Sequence, residues 1–282
     1  MLTRTLRILA NGATAALAVF MVARPAAAQT RASREVILAS TTSLHDTGLL
    51  DTLTRLFNRS SGYHLRVVAV GSGQALRMGE RGDADVVFTH SPAAEQDFMA
   101  KGFGARRLVV ATNYFTVAGP RDDPARVREA STAAEALRRI AAAGAVFVSR
   151  GDSSGTHARE LALWREAGVR PPWPGYLETG QGMAATLLVA NERRGYTLAD
   201  RSTLGALRSH LDIAPLRDNE PQLRNVYHVI ELNPSGRPGM NVAGGRAFAD
   251  FVTSPAIQDL IAVFGRERYG EPLFIPTRGV EP

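Results

Sequence analysis

From residue 35 onward, short apolar runs alternate with longer segments in which apolar residues recur every three or four positions. The runs read as buried strands and the longer segments as helices with one apolar face. Strands are predicted over 35–40, 65–70, 85–89, 107–118, 145–149, 211–216 and 226–232. Helices fill the intervals. Leu49, Leu50, Leu53, Leu56 and Phe57 share one helical face, and Ser91 caps a helix with Pro92 at its first position. Thr132 and Glu135 have the spacing of a capping box, while Gly168 and Gly195 stand where helices stop. This alternation predicts an α/β fold with mainly parallel sheets.

Three of the strand-to-helix junctions share an unusual composition. The first carries Ser40-Thr41-Thr42-Ser43 and the second Gly71-Ser72-Gly73. The third runs from Arg150 through Asp152, Ser153, Ser154 and Gly155 to Thr156. A helix start has backbone N–H groups without partners and a partial positive charge, so hydroxyls, glycines and an arginine around it form a cradle for an anion. Any one such cluster is an ordinary cap or turn. Repeated three times, with Arg150 beside the third, the pattern points to one small anionic ligand held jointly. Gly180-Gln181-Gly182 opens a further helix and is a candidate fourth contact or a plain helix start.

Two apolar segments that end in turn residues, 114–120 and 226–234, have the character of crossovers between lobes. With both as crossovers, lobe I comprises 34–118 plus 225–282 and lobe II comprises 119–224. The first two cradles then face the third across a cleft, and closure around a ligand is the expected motion.

The first 28 residues have the form of a cleavable export signal. Arg4 and Arg7 begin it, a mostly apolar stretch follows, and Ala26-Ala27-Ala28 offers a cleavage site before Gln29. Loss of Arg4, Arg7 and Arg24, with no acidic residue among the 28, lowers the formal charge from +6 to +3. Arginines and acids are interspersed along the remainder, which argues against nucleic acid as a partner. Cysteine is absent, so no disulfide, thiolate metal site or lipid-modified cysteine is available. A free periplasmic protein is expected.

Gly151-Asp152-Ser153-Ser154-Gly155 also satisfies the G-x-S-x-G pattern of a nucleophile elbow, with Asp212 and His228 as nominal triad partners. Against a hydrolase, His228 falls within a predicted strand and no HGGG-type segment precedes the serine. The six histidines include no HExxH or other close ligand pair, and neither GxxxxGK[ST] nor GxGxxG occurs, so no metal, cofactor or nucleotide is expected.

Five stretches carry a more specific signal: STTSLHDTGLLD, VVAVGSGQALRMGERGDADVVFTHSPAAE, FVSRGDSSGTHARELALW, YLETGQGMAATL with ANERRGYTLADRSTL, and YGEPLFIP. Taken in order they cover nearly all of the chain beyond the leader, and they resemble the tungstate-binding periplasmic proteins of ABC transporters, within the type II solute-binding superfamily. The resemblance implies a type II periplasmic binding protein fold, with a double-crossover hinge and the ligand cleft between two lobes. It further implies capture of tungstate or molybdate and delivery to a permease driven by its ATPase; a monomer that is not an enzyme is expected. Carried over by motif, the oxyanion contacts are Thr42, Ser43, Ser72, Gly73, Arg150, Ser154, Gly155 and Thr156. The family usually reads TTTST at the first cradle and GTG at the second, where this chain has STTSL and GSG. A phosphate- or sulfate-type oxyanion is the alternative ligand. A tetrahedral dianion presents only acceptors, and a site of hydroxyls, N–H groups and one guanidinium presents mainly donors. Hydrogen phosphate carries a proton and calls for an acceptor as well. Asp152 is read as a partner that orients Arg150.

Overall fold

The computed structural model describes residues 34–218 and 220–278, so the proposed leader at 1–28 lies outside the described residues. Strand β1 (Glu35–Thr41) leads through the short helix α1 (Thr42–Asp46) into α2 (Leu49–Ser60). Strand β2 (His64–Val70), helix α3 (Ser72–Arg81), strand β3 (Val86–Thr89) and helix α4 (Pro92–Ala100) follow. Strand β1 pairs in parallel with both β2 and β3. The carboxyl ends of all three strands therefore lie at one end of the sheet, where crevices in α/β folds collect ligands. The helix starts at Leu49, where the apolar spacing places it, because Thr47-Gly48 turns the chain after α1; Gly48 has φ +80°.

Strand β4 (Gly104–Gly119) is 16 residues long and crosses the molecule. Helix α5 (Ala133–Ala142), strand β5 (Phe147–Ser149), helix α6 (Gly155–Glu166), strand β6 (Tyr176–Glu178), helix α7 (Met183–Glu192), strand β7 (Thr197–Asp200), helix α8 (Arg201–Leu207) and strand β8 (Ala214–Arg217) come next. Strand β9 (Arg224–Leu232) returns, followed by α9 (Val242–Thr253), α10 (Pro255–Val263), α11 (Arg266–Tyr269) and β10 (Ile275–Pro276). The first part of β4 pairs with β9 as far as Tyr114, and its last five residues pair instead with β7 and β8. Apolar residues divide in the same way: one set of clusters draws on 36–111 and 227–274, the other on 115–223. The fold is the two-lobed α/β architecture expected, with two strands passing between the lobes.

Several local expectations need correction. The large sheet is mixed, because β4 and β9 carry the chain in opposite directions and lie side by side as antiparallel neighbours. The return crossing falls at 223–225, ahead of the VYHVIELNP segment, which is paired along β3 and β4. Strands β6, β7 and β10, two to four residues long, were not located, whereas the equally short β3, β5 and β8 lie in the apolar runs VVF, AVFV and IAPL that the pattern does reveal. The box at α5 is shifted by one position: Thr132 Oγ1 accepts from Glu135 N, but Glu135 reaches back to Ser131 N. Ser91 makes no side-chain cap, and Glu95 accepts from Ser91 N at 2.8 Å in its place. After α7 the left-handed residue is Arg194 (φ +46°), while Gly195 permits close packing on Val146.

The crossing itself is polar and buried. Asp200, which ends β7, accepts from Asn113 Nδ2 on β4 at 2.9 Å and from Asn225 Nδ2 on β9 at 2.7 Å. It also accepts from the Tyr227 hydroxyl and from Ser202 N, the latter at the start of α8. Burial, reinforced by the Asp200 carboxylate, pushes the Tyr227 phenol well above its ordinary pKa, so it stays a donor. Removal of the carboxylate in Asp200→Ala leaves several buried donors unpaired and is expected to lower stability by roughly 3 kcal/mol or more. Urea unfolding checks this through the midpoint. A loss under about 1 kcal/mol would show that the crossing is held elsewhere.

Candidate oxyanion site

The four glycine- and hydroxyl-rich junctions meet between the lobes. In lobe I, Thr41 caps α1, and Ser72 is the first residue of α3, with Gly71 in extended conformation before it. In lobe II, β5 ends at Ser149 and the chain turns through Arg150 to the start of α6. A Cβ built on Gly71 would touch the Asp152 carbonyl and Ser154, and one on Gly73 would lie 3.2 Å from the Ser153 carbonyl. Gly182, at the start of α7, faces the Thr42 side chain. Gly155 abuts the His90 carbonyl so closely that a Cβ there would sit 2.6 Å from the oxygen. Any larger residue would hold the lobes apart.

Arg150 is 2% exposed, although it carries a full charge at the lobe junction. Its Nη2 donates to Asp152 Oδ2 and, at 3.5 Å, to Thr42 Oγ1 across the gap. Asp152 Oδ1 in turn accepts from Ser154 N at 3.1 Å. Both carboxylate oxygens are thus engaged, which matches the role of Asp152 as orienter of Arg150. The flank of Arg150 is fixed as well. Ser149 Oγ donates to Glu160 Oε2 at 2.8 Å and accepts from Gly151 N at 3.2 Å, and Gly180 N donates to the Arg150 carbonyl. Glu160, buried on α6, also accepts from Trp164 Nε1 and the Tyr176 hydroxyl. Burial raises the Glu160 pKa above the usual carboxylate value.

Three buried donors at this junction have no partner: Ser72 Oγ, Arg150 Nε and Thr156 Oγ1. Unpaired buried donors are uncommon in folded proteins, and each calls for an explanation. The first-turn N–H groups of α3 and α6 lie beside them and have no intrahelical acceptors. Between them these groups can hold something that accepts hydrogen bonds and carries negative charge.

The residues expected from sequence are brought together, but they are used differently. Thr42, Ser72, Gly73, Arg150, Gly155 and Thr156 line the junction. Ser154 Oγ is taken up by His157 N, capping α6 at 3.2 Å. Ser43 Oγ lies 3.1 Å from Thr41 Oγ1 and 3.2 Å from His90 Nε2. His90 was not foreseen. Its signal was positional, since it follows β3 at the same sheet end as the first two cradles. Asp46 is also close: burial raises its pKa, against the charges of His45 and Arg150 and a hydrogen bond from Ala184 N.

A hydrolase finds little support in the same geometry. Ser153 has φ +57°, as an elbow nucleophile would, but its backbone N–H, not its hydroxyl, faces His157 Nδ1 at 3.1 Å. His228 is paired with Glu95 Oε2 at 2.8 Å in lobe I. Asp212 is exposed beside Asn191. Trp173 packs on Trp164 and Tyr176, a loop-packing role.

The model of the PBP superfamily domain matches residues 25–256. A tungstate-binding protein, TupA, from Peptoclostridium acidaminophilum is 42% identical over 251 residues, covering 88% of each chain. The crystal structure titled as the tungstate ABC transporter of Geobacter sulfurreducens is 43% identical, with a TM-score of 0.73 over 81% of this chain and 97% of that one. The tungstate-binding protein TupA of Desulfovibrio alaskensis is 40% identical, with a TM-score of 0.71 over 86% and 98%. Family model, relatives and the two-lobed fold agree: the chain belongs to the PBP superfamily.

Proposed function

We propose that this protein binds tungstate, with molybdate as a near-equivalent ligand, and hands it to an ABC importer. The relatives named above are binding components and not enzymes, and this chain is read in the same way. The observation that carries the reading is the set of unpaired buried donors, Ser72 Oγ, Arg150 Nε and Thr156 Oγ1, gathered between lobes around helix starts. A fully deprotonated tetrahedral anion supplies acceptors to all of them and asks for none in return. The proposed contacts are Thr42, Ser72, Gly73, Arg150, Gly155 and Thr156, with Ser43 contributing through its backbone N–H; Ser154, whose N–H and hydroxyl are both engaged, fixes the start of α6 and is not proposed as a direct contact.

The lobes proposed are 34–118 plus 225–282 and 119–224; the two sets of apolar clusters support this division except at its edge, where Phe115, Val117 and Ala118 pack with the second lobe and put the first crossing ahead of Phe115. Closure of one on the other buries Arg150 and shields its charge from water, which strengthens its hold on the anion. We propose further that residues 1–28 direct the chain to the periplasm and are cleaved, that it acts as a monomer, and that its partners are a permease and an ATPase. Phosphate is the second reading because Asp46, close to Arg150, is a carboxyl whose ionised form could accept from a protonated anion, although its burial works against that ionised form.

Isothermal titration of the protein with tungstate, molybdate, sulfate and phosphate tests the ligand. Tungstate and molybdate are expected to bind one per chain, at least about a hundredfold more tightly than phosphate, a gap of roughly 2.7 kcal/mol. Phosphate winning the competition would overturn the assignment and turn attention to Asp46. Arg150 is expected to be the most sensitive single position. A buried charge-assisted hydrogen bond contributes about 1.5–3 kcal/mol, so Arg150→Ala should weaken tungstate by about tenfold to a hundredfold. Arg150→Lys should recover only part, since it keeps the charge but not the planar fork. Ser72→Ala, removing one neutral donor, should cost about 1 kcal/mol. Parent-like affinity in Arg150→Ala would place the site elsewhere.

A further inference from the structure

His90 stands where the first cradle, the crossing strands and lobe II meet. Its ring stacks on Tyr227 of β9 with centroids 4.8 Å apart and packs on Phe115 of β4 at 6.1 Å. Its carbonyl and Nδ1 border Gly155 of α6. Its Nδ1 lies 2.9 Å from Asn225 Oδ1, and its Nε2 lies 3.2 Å from Ser43 Oγ. The charged groups that act on it are Asp200, Arg150 and Glu95.

The direction of every proton in this chain follows from its far end. The Asp200 carboxylate can only accept, so the Asn225 amide must present its NH2 there, and Asn225 Nδ2 does donate to Asp200 Oδ2 at 2.7 Å. The opposite, carbonyl end of the amide then faces His90, and Oδ1 can only accept. Nδ1 must therefore carry the imidazole proton. Burial lowers the His90 pKa, against the pull of Asp200, and so favours the neutral ring. A neutral ring protonated at Nδ1 has a bare Nε2. The Ser43 hydroxyl must then donate to it, Thr41 Oγ1 donates to Ser43 at 3.1 Å, and Leu44 N donates to Thr41. Protons run one way, from the first cradle to the buried carboxylate at the crossing.

We propose that His90 is a positioning residue of the oxyanion site: it consumes the Ser43 hydroxyl proton, making Ser43 a strut that holds the first cradle to the crossing strands. The inference rests on the oxyanion reading above. It follows that Thr42 is the hydroxyl donor of the first cradle. Thr42 Oγ1 accepts from Arg150 Nη2, which leaves its own proton for the ligand. Closure and cradle geometry are then linked, because Asn225 and Asp200 belong to the crossing that must move as the lobes rotate, and His90 passes their position to Ser43.

A mutant cycle read by tungstate titration, together with nitrogen-15 NMR of the imidazole, tests the proposal. Ser43→Ala and His90→Phe should each weaken binding about tenfold, and the double variant should be no weaker than the worse single, because both remove one strut. His90→Gln, whose amide oxygen can accept from Ser43, should recover to within about threefold of the parent. The unmodified protein should show Nδ1 protonated and Nε2 bare at neutral pH. Additive losses near a hundredfold would mean that Ser43 donates to the anion directly and that His90 acts only by packing. A ring protonated at Nε2 would overturn the proposal whatever the affinities. Lack of tungstate binding by the parent protein would instead refute the ligand assignment, and the tautomer would still decide the role of His90.

Discussion

The structure depends on one buried carboxylate. Asp200 ends a strand of lobe II, caps the helix that follows, and accepts from both strands that pass between the lobes. A carboxylate away from water is costly unless its lone pairs are filled, and here Asn113, Asn225, Tyr227 and Ser202 fill them. The chain crosses twice between two apolar cores, and a polar crossing held at one point can pivot without exposing either core. Rotation about such a point is a hinge motion of the kind that closes two-lobed proteins on a ligand.

The junction above the crossing is built from the same economy of groups. Helix starts and hydroxyls supply donors, and Arg150 supplies the charge. That arginine is held on one side by Asp152 and on the other by the Ser149 and Glu160 pair. Glu160 carries no counter-ion among its hydrogen-bond partners, so burial raises its pKa; three donors satisfy its oxygens. Neither carboxyl is needed to contact a ligand. Both fix the place of groups that can, and both are within 10 positions of Arg150 in sequence.

Much of this was legible before any coordinates. Alternating patterns located the longer strands and helices, and the repeated Ser, Thr and Gly clusters marked the junctions that meet between the lobes. Shortness alone did not hide a strand, since β3, β5 and β8 were found through the apolar runs around them; β6, β7 and β10 were missed. The mixed sheet was missed because the direction of a strand depends on its neighbours and not on its own side chains. Ser154 and Ser43 read as donors to a ligand, yet one caps its own helix and the other faces His90. A hydroxyl's residue type says that it can donate and leaves open to whom.

The sequence by itself determined the α/β class, the double crossing and which residue types border the junction, since periodicity, turn residues and helix-start chemistry are local properties. Only the tertiary structure decided what those residues do. His90, Asn225 and Asp200 are far apart along the chain, and their common role appears only when strands from both lobes bring them within hydrogen-bond distance. Which of three equivalent hydroxyl clusters keeps a free donor is likewise settled by neighbours. Hydrogen bonding saturates, so a donor's availability depends on every acceptor that the fold places around it.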